Sequence, residues 1–349
     1  MDHFAIEQAL LDHVDAHPRE LVRVVADKFE TTRPTVLARV GALLREDYLR
    51  REGGSTRPIY LKGEARRRLV AIPLSGLTED QVWATEVAPL LTNIKENIRV
   101  ICQHAVTEMV NNAIDHSQGL LLTLFVDRSR RRVRIVIDDD GIGIFRKIAN
   151  AAELPDERLA LLELAKGKFT TDPKNHSGEG VFFTSRMCDR FQIVSGDLLF
   201  DHEDGALLDW FGATGIDRTG TTVLIDIGVD STRTVKQVFD RFSSGPDEYS
   251  FARTIVPVKL ARIGDDQLVS RSQAKRLLQR FHRFAVVELD FRGVNSIGQA
   301  FADEVFRVFA IAHPDVELIP THATSDVQQM IRRAEVARDR EHLNGDLFG

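Results

Sequence analysis

Three stretches of the 349-residue chain decide its fold: TEMVNNAIDHS at 107–117, IDDDGIGI at 137–144 and HSGEGVFF at 176–183. The first stretch has helical periodicity, which places residues three to four and seven to eight positions apart on one side of the helix. Its polar residues on that side are Glu108, Asn112, Asp115 and His116. An apolar stripe overlaps the same side, formed by Ile98, Ile101, Ala105 and Met109. Because buried polar side chains need hydrogen-bond partners, the helix predicts a pocket or a partner surface.

The other two stretches are glycine-containing loops at the ends of regular elements. An apolar strand runs into three acidic residues and then Gly141 and Gly143, which allow a ligand close to the backbone. Gly178 and Gly180 open a helix, whose exposed N–H groups bind anions such as phosphate. A fourth piece, GTTV at 220–223, begins a late strand. Each motif alone is weak, but their joint order and element types argue against chance.

Together these motifs resemble the GHKL ATP-binding superfamily, which includes gyrase-type ATPases, heat-shock chaperones, histidine kinases and anti-sigma-factor kinases. The resemblance covers roughly residues 90–228. It implies that Glu108 is the general base, that Asn112 is the Mg²⁺ ligand, and that Asp139 accepts a hydrogen bond from the adenine amino group of ATP. The other nucleotide-binding residues that it implies are Asp115, His116, Gly141, Gly143, Ile144, Ser177, Gly178, Gly180, Val181, and Thr221 or Thr222.

The resemblance also implies an ATP lid at about residues 145–180. Lys166, Lys168 and Lys174 are candidate phosphate contacts there, because phosphoryl transfer depends on positioning and on charge neutralisation. A solvated surface loop explains each of these lysines equally well. For His116, a helix cap is the alternative to a phosphate contact.

Glu108 favours ATP hydrolysis within this superfamily, since histidine kinases usually lack a carboxylate at this place. They also need an acceptor histidine on a separate helical hairpin, whereas His104 lies in the same helix as Glu108. The main alternative is a serine/threonine protein kinase of the anti-sigma-factor type that acts on a separate partner. A third hypothesis is a scaffold that binds ATP without turnover.

Residues 250–340 predict a small α/β domain with strands that include 255–260, 267–270 and 286–290. The stretch VVELDFRGV at 286–294, followed by GQAFADE at 298–304, resembles a STAS-like domain. Relatives are phosphorylated on a serine at the start of this helix, where the present chain has no hydroxyl. We therefore expect a regulatory or protein-interaction module, with a structural cap on the ATPase unit as the alternative.

Residues 1–70 predict three helices and a two-stranded hairpin, the order of a winged helix–turn–helix. Residues 33–70 hold ten Lys and Arg against four acids, a local excess of six positive charges. The start of the third helix and the hairpin would then contact double-stranded DNA. The candidate residues are Thr32, Arg33, Thr35, Arg39, Arg51 and Arg57. Dimerisation or protein docking is the alternative role of this unit.

Composition sets the remaining limits. The net charge of −6 excludes a globally basic nucleic-acid binder, and no apolar run is long enough to cross a membrane. The two cysteines, Cys102 and Cys188, fit a reducing compartment and predict no zinc site. We expect a cytoplasmic, multidomain α+β protein: a winged helix at 1–70, an ATP-binding α/β sandwich at 76–230 and a STAS-like domain at 250–340. Its expected ligands are ATP and Mg²⁺, with DNA, a regulatory protein and a second copy as partners.

Overall fold

The computed structural model describes residues 3–54, 56–170, 178–205, 210–245, 248–263 and 266–345. Its N-terminal unit has three helices and an antiparallel hairpin, as predicted: α1 (His3–His13), α2 (Leu21–Lys28), α3 (Arg33–Arg45), β1 (Leu49–Glu52) and β2 (Ile59–Lys62). The helices bury the apolar side of each periodic pattern in a small core of their own, around Ile6, Leu10, Val25 and Val40. The Thr32 hydroxyl caps α3 by accepting the backbone N–H of Thr35.

The central unit is built on one seven-stranded antiparallel sheet. Its strands are β3 (Arg66–Pro73), β4 (Leu121–Arg128), β5 (Arg132–Asp139), β6 (Arg190–Ser195), β7 (Leu198–Glu203), β8 (Trp210–Ala213) and β9 (Thr221–Gly228), in the order β3-β4-β5-β9-β6-β7-β8. Buried residues alternate with more exposed ones along β5, as expected for a sheet that is covered on one face.

Helices cover that face of the sheet. They are α4 (Glu79–Val82), α5 (Glu96–His116), α6 (Ile144–Ala151), α7 (Leu159–Lys166), α8 (Gly180–Met187) and α9 (Val235–Phe242). The sequence predicts a helical stretch over 79–117 that is interrupted near Pro89. The interruption is present, because a π-helical turn (Trp83–Val87) and a 3₁₀ turn (Ala88–Leu90) separate α4 from α5. The apolar stripe of α5, which includes Ile98 and Ala105, is buried in the core that α5 shares with the sheet.

The C-terminal unit is a small parallel α/β layer. A hairpin, β10 (Ser243–Gly245) and β11 (Glu248–Phe251), leads into it. Its elements are β12 (Arg253–Pro257), α10 (Arg271–Leu278), β13 (Val286–Asp290), α11 (Gln299–Asp303), α12 (Ala310–Ala312), β14 (Glu317–Thr321) and α13 (Ser325–Gly345). A π-helical turn (Glu304–Phe309) joins α11 to α12, so 299–312 is one continuous helix. Its apolar core continues into that of the central unit, whereas the N-terminal core is separate.

The strands of the structure differ from those predicted from the sequence at three places. Strand β3 (Arg66–Pro73) was not expected, and it places the arginine-rich end of the predicted winged helix in the large sheet. The sequence also predicts strands near 191–196, 206–212 and 221–228, of which the first and the last are β6 and β9. The one near 206–212 falls partly on 206–209, outside the described residues, and an unpredicted strand, β7, precedes it. The strand expected at 267–270 is a single bridge from Leu268 to Ile297, because the backbone beside Leu268 turns into the cap of α10.

The N-terminal unit rests on the sheet face opposite to the helices. Arg67 of β3 donates to Glu7 at 3.1 Å and lies over the rings of Phe4 and Tyr48, 5.2 and 4.8 Å from their centroids. The Tyr48 hydroxyl donates to the carboxylate of Asp127 on β4. Burial raises the pKa of Asp127 to about 6. None of the helices in the described part of the chain is both long and apolar enough to span a bilayer.

Candidate functional site

Helix α5 carries the polar side chains of a cavity of about 370 Å³ between the helices and the sheet. Glu108, Asn112 and His116 are one turn apart on α5, and all three line this cavity. Sheet residues from the ends of β5, β6 and β9 form its opposite wall: Ile137, Asp139, Ile193, Thr221 and Val223. The cavity therefore combines apolar side chains, which suit a flat base, with polar groups at fixed positions.

Asp139 is the buried polar group of the sheet wall, with 7% of its surface exposed. Its carboxylate accepts the backbone N–H of Gly141 at 3.0 Å. Burial raises the pKa of Asp139 to about 6, against the opposing effect of the N–H groups of Gly141 and Thr221. A carboxylate in this position can accept a hydrogen bond from an amino group that enters the cavity.

The loop after β5 depends on glycine for close backbone approach. A Cβ on Gly141 would overlap the backbone carbonyl of Ser117, at the C-terminal end of α5. Gly143 has a φ of +88°, which L side chains rarely adopt, and it lies against Ser195. The next residue, Ile144, donates its N–H to the Thr221 hydroxyl at 3.0 Å. The loop is thereby held over the end of β9 with Gly143 and Ile144 in the cavity wall.

The second glycine loop brings a helix N-terminus to the catalytic candidate. Helix α8 begins at Gly180, and a Cβ at Gly180 would overlap the Glu108 carboxylate. Gly178, Gly180 and Val181, which the resemblance implies for nucleotide binding, line the cavity. Backbone N–H groups at the start of a helix favour anions, so this end of the cavity suits phosphate groups.

Some predicted site residues do not line the cavity. Asp115 is exposed, and its charge acts on Lys147. Gly141 packs beneath the loop, against Ser117. Thr222 donates its hydroxyl to Asp138 on the opposite face of the sheet, because neighbouring strand residues point to opposite faces. Of the two candidate threonines, the cavity therefore contains only Thr221. Lys174 and Ser177 lie outside the described residues.

Two of the three lysines expected at the phosphates face the C-terminal unit instead. Lys166 is fully buried, and its ammonium group pairs with Glu163 at 2.7 Å and donates to the carbonyl oxygen of Arg276 at 2.9 Å. Lys168 donates to the carbonyl oxygen of Arg283 at 2.9 Å. This corrects the expectation that both lysines contact phosphate, because both ammonium groups donate to carbonyl oxygens of the C-terminal unit.

Several cavity residues were not predicted from the sequence. Lys147 lies one turn after Gly143 on α6, lines the cavity and donates to the carbonyl oxygen of His116 at 2.9 Å. Its spacing from Gly143 was the only available signal. The other missed lining residues are Met109, Asn111, Ala113, Ser117, Ile148, Leu164, Gly167, Phe169, Thr170 and Phe182, besides the apolar sheet residues.

A divalent cation in this cavity would depend on few protein ligands. Within the described ranges, no three His, Cys, Asp or Glu side chains come together in a metal-binding group. Asn112 offers a side-chain oxygen from the cavity wall, and its amide nitrogen contacts the sulfur of Met109 at 4.0 Å. This donor set fits Mg²⁺, which keeps most of its water and is commonly held by one or two protein oxygens together with substrate phosphates.

The predicted DNA contacts fall on two surfaces of the N-terminal unit. Thr32 and Arg33 are exposed at the start of α3, and Arg51 and Arg57 are exposed on the hairpin. Thr35 is half-buried beside the Thr32 cap. Arg39 is turned toward α1, with its guanidinium 4.0 Å from the carboxylate of Glu7, so it faces the interior of the unit more than the others do.

Two kinds of domain are found when the chain is compared with known families. Residues 97–227 match the histidine kinase-, DNA gyrase B- and HSP90-like ATPases, and they include all the cavity-lining elements from α5 to β9. Residues 273–328 match a STAS-like domain of unknown function. No curated protein was found to match the sequence. The chain therefore contains a domain that matches the histidine kinase-, DNA gyrase B- and HSP90-like ATPases, followed by one that matches a STAS-like domain.

Proposed function

We propose that the protein is a regulatory Mg²⁺-dependent ATPase. The main support is the single cavity that gathers Glu108, Asn112, Asp139 and the start of α8 from separate elements. An apolar sheet wall ending in a carboxylate suits adenine, and a helix N-terminus at the other end suits phosphates.

In the proposed reaction each group has one role. Asp139 accepts the adenine amino hydrogen, and the N–H groups from Gly178 to Val181 hold the phosphates. Asn112 contributes an oxygen to Mg²⁺, which neutralises charge on the phosphate oxygens when it is bound. Glu108 takes a proton from water as the water oxygen bonds to the γ-phosphorus. The bond from that phosphorus to the β–γ bridging oxygen breaks, and ADP and phosphate leave.

The test follows the γ-phosphate of labelled ATP in the presence of Mg²⁺. We expect free phosphate from the wild type, none above background from Glu108→Gln, and no ATP binding by Asn112→Ala. Glu96→Gln, an exposed glutamate at the start of the same helix, is the matched control and should behave as wild type. Label transferred to protein would instead support the serine/threonine kinase alternative. Tight ATP binding without any label transfer would support a scaffold.

We further propose that the N-terminal unit binds double-stranded DNA under control of ATP. The exposed Arg33 on α3 and the exposed Arg51 and Arg57 on the hairpin support this, together with the local positive charge. Fluorescence anisotropy with duplex DNA should show weaker binding and a salt slope smaller by about one per contact removed in Arg51→Ala and Arg57→Ala. DNA affinity and oligomeric state that are unchanged by ATP would refute the ATP control.

The same proposal includes a protein partner for the STAS-like domain and dimerisation of the chain. Both cysteines, Cys102 and Cys188, are free and buried, which agrees with the reducing cytoplasm proposed from the sequence. Sedimentation with and without ATP measures the dimerisation directly. A protein that stays monomeric in both conditions would remove that part of the proposal.

A further inference from the structure

The C-terminal unit contacts residues 163–170 of the central unit through a buried cluster of charged side chains. The Arg280 guanidinium donates to the carboxylate of Glu163, to its backbone carbonyl at 3.1 Å, and to the carbonyl oxygen of Gly167 at 3.3 Å. Lys166 pairs with the same carboxylate at 2.7 Å and donates to the carbonyl oxygen of Gln279 at 3.2 Å. The Glu163 and Lys166 side chains are at most 3% exposed. One carboxylate therefore joins two cations, one from each unit.

Three residues of this contacted segment also line the cavity proposed to bind nucleotide. Gly167, Phe169 and Thr170 line it, and the Arg280 guanidinium lies over the Phe169 ring, 4.9 Å from its centroid. The backbone of Phe169 packs against Gly178, where a Cβ would overlap the Phe169 carbonyl. A continuous series of contacts therefore runs from Arg280 through Phe169 to the residues expected at the phosphates.

Burying charged side chains costs desolvation free energy, which is offset only when each charge keeps a well-placed partner. Removing one partner from a buried pair leaves an uncompensated charge. Here Arg280 can be removed without that penalty, because Glu163 keeps its pair with Lys166. Apart from its pair with Glu163, Arg280 contacts the Glu163 and Gly167 carbonyl oxygens and the Phe169 ring.

We propose that Arg280 is a positioning residue, through which the STAS-like domain holds the cavity wall at Gly167 and Phe169, so that nucleotide binding and domain docking are coupled. This rests on the proposed nucleotide binding. By linkage, a nucleotide that is bound more tightly when the wall is held must in turn stabilise the docked domain to the same extent.

The experiment measures binding of a non-hydrolysable ATP analogue with Mg²⁺ and amide hydrogen exchange at residues 271–283. In the wild type the analogue should slow exchange there, although none of these residues lines the cavity. Arg280→Met should weaken binding about fivefold or more, the low end of coupling between distinct sites, and should abolish the slowing. Arg280→Lys should restore only part of both, because an ammonium can pair with Glu163 but lacks the planar fork.

Arg253→Met is the matched control, since Arg253 pairs at 3.6 Å with Glu288 inside the STAS-like domain and is half-exposed. It should bind the analogue as wild type does. Wild-type protein that binds the analogue with unchanged exchange at 271–283 would overturn the inference alone, whether or not Arg280→Met folds. Equal affinity and equal slowing in a folded Arg280→Met protein would do the same. Wild-type protein that binds no nucleotide would refute the proposed function, and the inference with it.

Discussion

Substitution of Asp139 by asparagine tests the proposed contact with adenine most sharply. The carboxylate accepts the N–H of Gly141 at 3.0 Å, and an asparagine amide oxygen would take over that bond. The amide NH₂ would then face the adenine amino group, so two donors would meet in a buried site. An unsatisfied buried donor costs about 1–3 kcal/mol, which predicts a loss of roughly 10- to 100-fold in ATP affinity.

The same substitution should reverse the preference for the base. Inosine triphosphate carries an oxygen where ATP carries the amino group, and it has the same phosphates. We expect wild-type protein to prefer ATP and Asp139→Asn to prefer inosine triphosphate, because the amide NH₂ can donate to that oxygen. Isothermal titration calorimetry with both Mg²⁺-nucleotides gives the two affinities. Asp138→Asn is the control, since Asp138 lies on the other face of the sheet, paired with Thr222.

The pH dependence of nucleotide affinity gives the expected size of the effect of Asp139. The pKa of Asp139 is raised to about 6 by burial, and the ionised form is the one that accepts two donors well. The ionised fraction falls about tenfold from pH 7 to pH 5, so ATP affinity should fall by about that factor relative to inosine triphosphate. An unchanged ratio of the two affinities across this range, or an equal loss in Asp138→Asn, would refute the reasoning.

Three further predictions concern packing, pH and charge. Gly141→Ala should destabilise the fold by about 1–3 kcal/mol, because its Cβ would overlap the Ser117 backbone, and it should lower the thermal midpoint and the ATP affinity together. Gly54→Ala, with open space around its Cβ, should change neither quantity. Burial raises the pKa of Asp127 from 3.8 to about 6, so the folded chain keeps a proton that the unfolded chain loses, and stability falls as pH rises through that window. Asp127→Asn should therefore gain about 1 kcal/mol more over wild type at pH 7.5 than at pH 5 in denaturant unfolding, and a constant difference would contradict this. Lys147→Met removes a cation from the cavity wall and should weaken ATP binding more than adenosine binding in calorimetry; equal losses would show that the ammonium does not act on the phosphates.

Local patterns were sufficient for much of the site. The one-turn spacing of Glu108 and Asn112 placed both side chains on one face of α5, and the cavity lies along that face. The acid-rich end of β5 and the glycine before α8 were also evident, because strand ends and helix starts carry their own residue signals. The three N-terminal helices followed from periodicity in the same way.

The surroundings of charged residues were predicted wrongly where an element far along the chain pairs with them or buries them. The run RRRLVAIP at 66–73 has the composition of a solvated wing, yet it forms strand β3 because β4 offers it a pairing edge. Lys166 has the look of a lid lysine, but its partner carbonyl at Arg276 is 110 residues away along the chain. A single sequence contains no local record of such pairing.

By itself, then, the sequence determined the elements and their chemistry: a polar helix face, an acidic strand end, and glycine loops that L side chains would block. These follow from periodicity and backbone sterics, which act over a few residues. Only the tertiary structure decided which charges face the cavity and which join the domains. Lys147 lines the cavity, whereas Lys166 is buried against the C-terminal unit. The difference arises because the cost of burying a charge depends on partners that the fold brings from far along the chain.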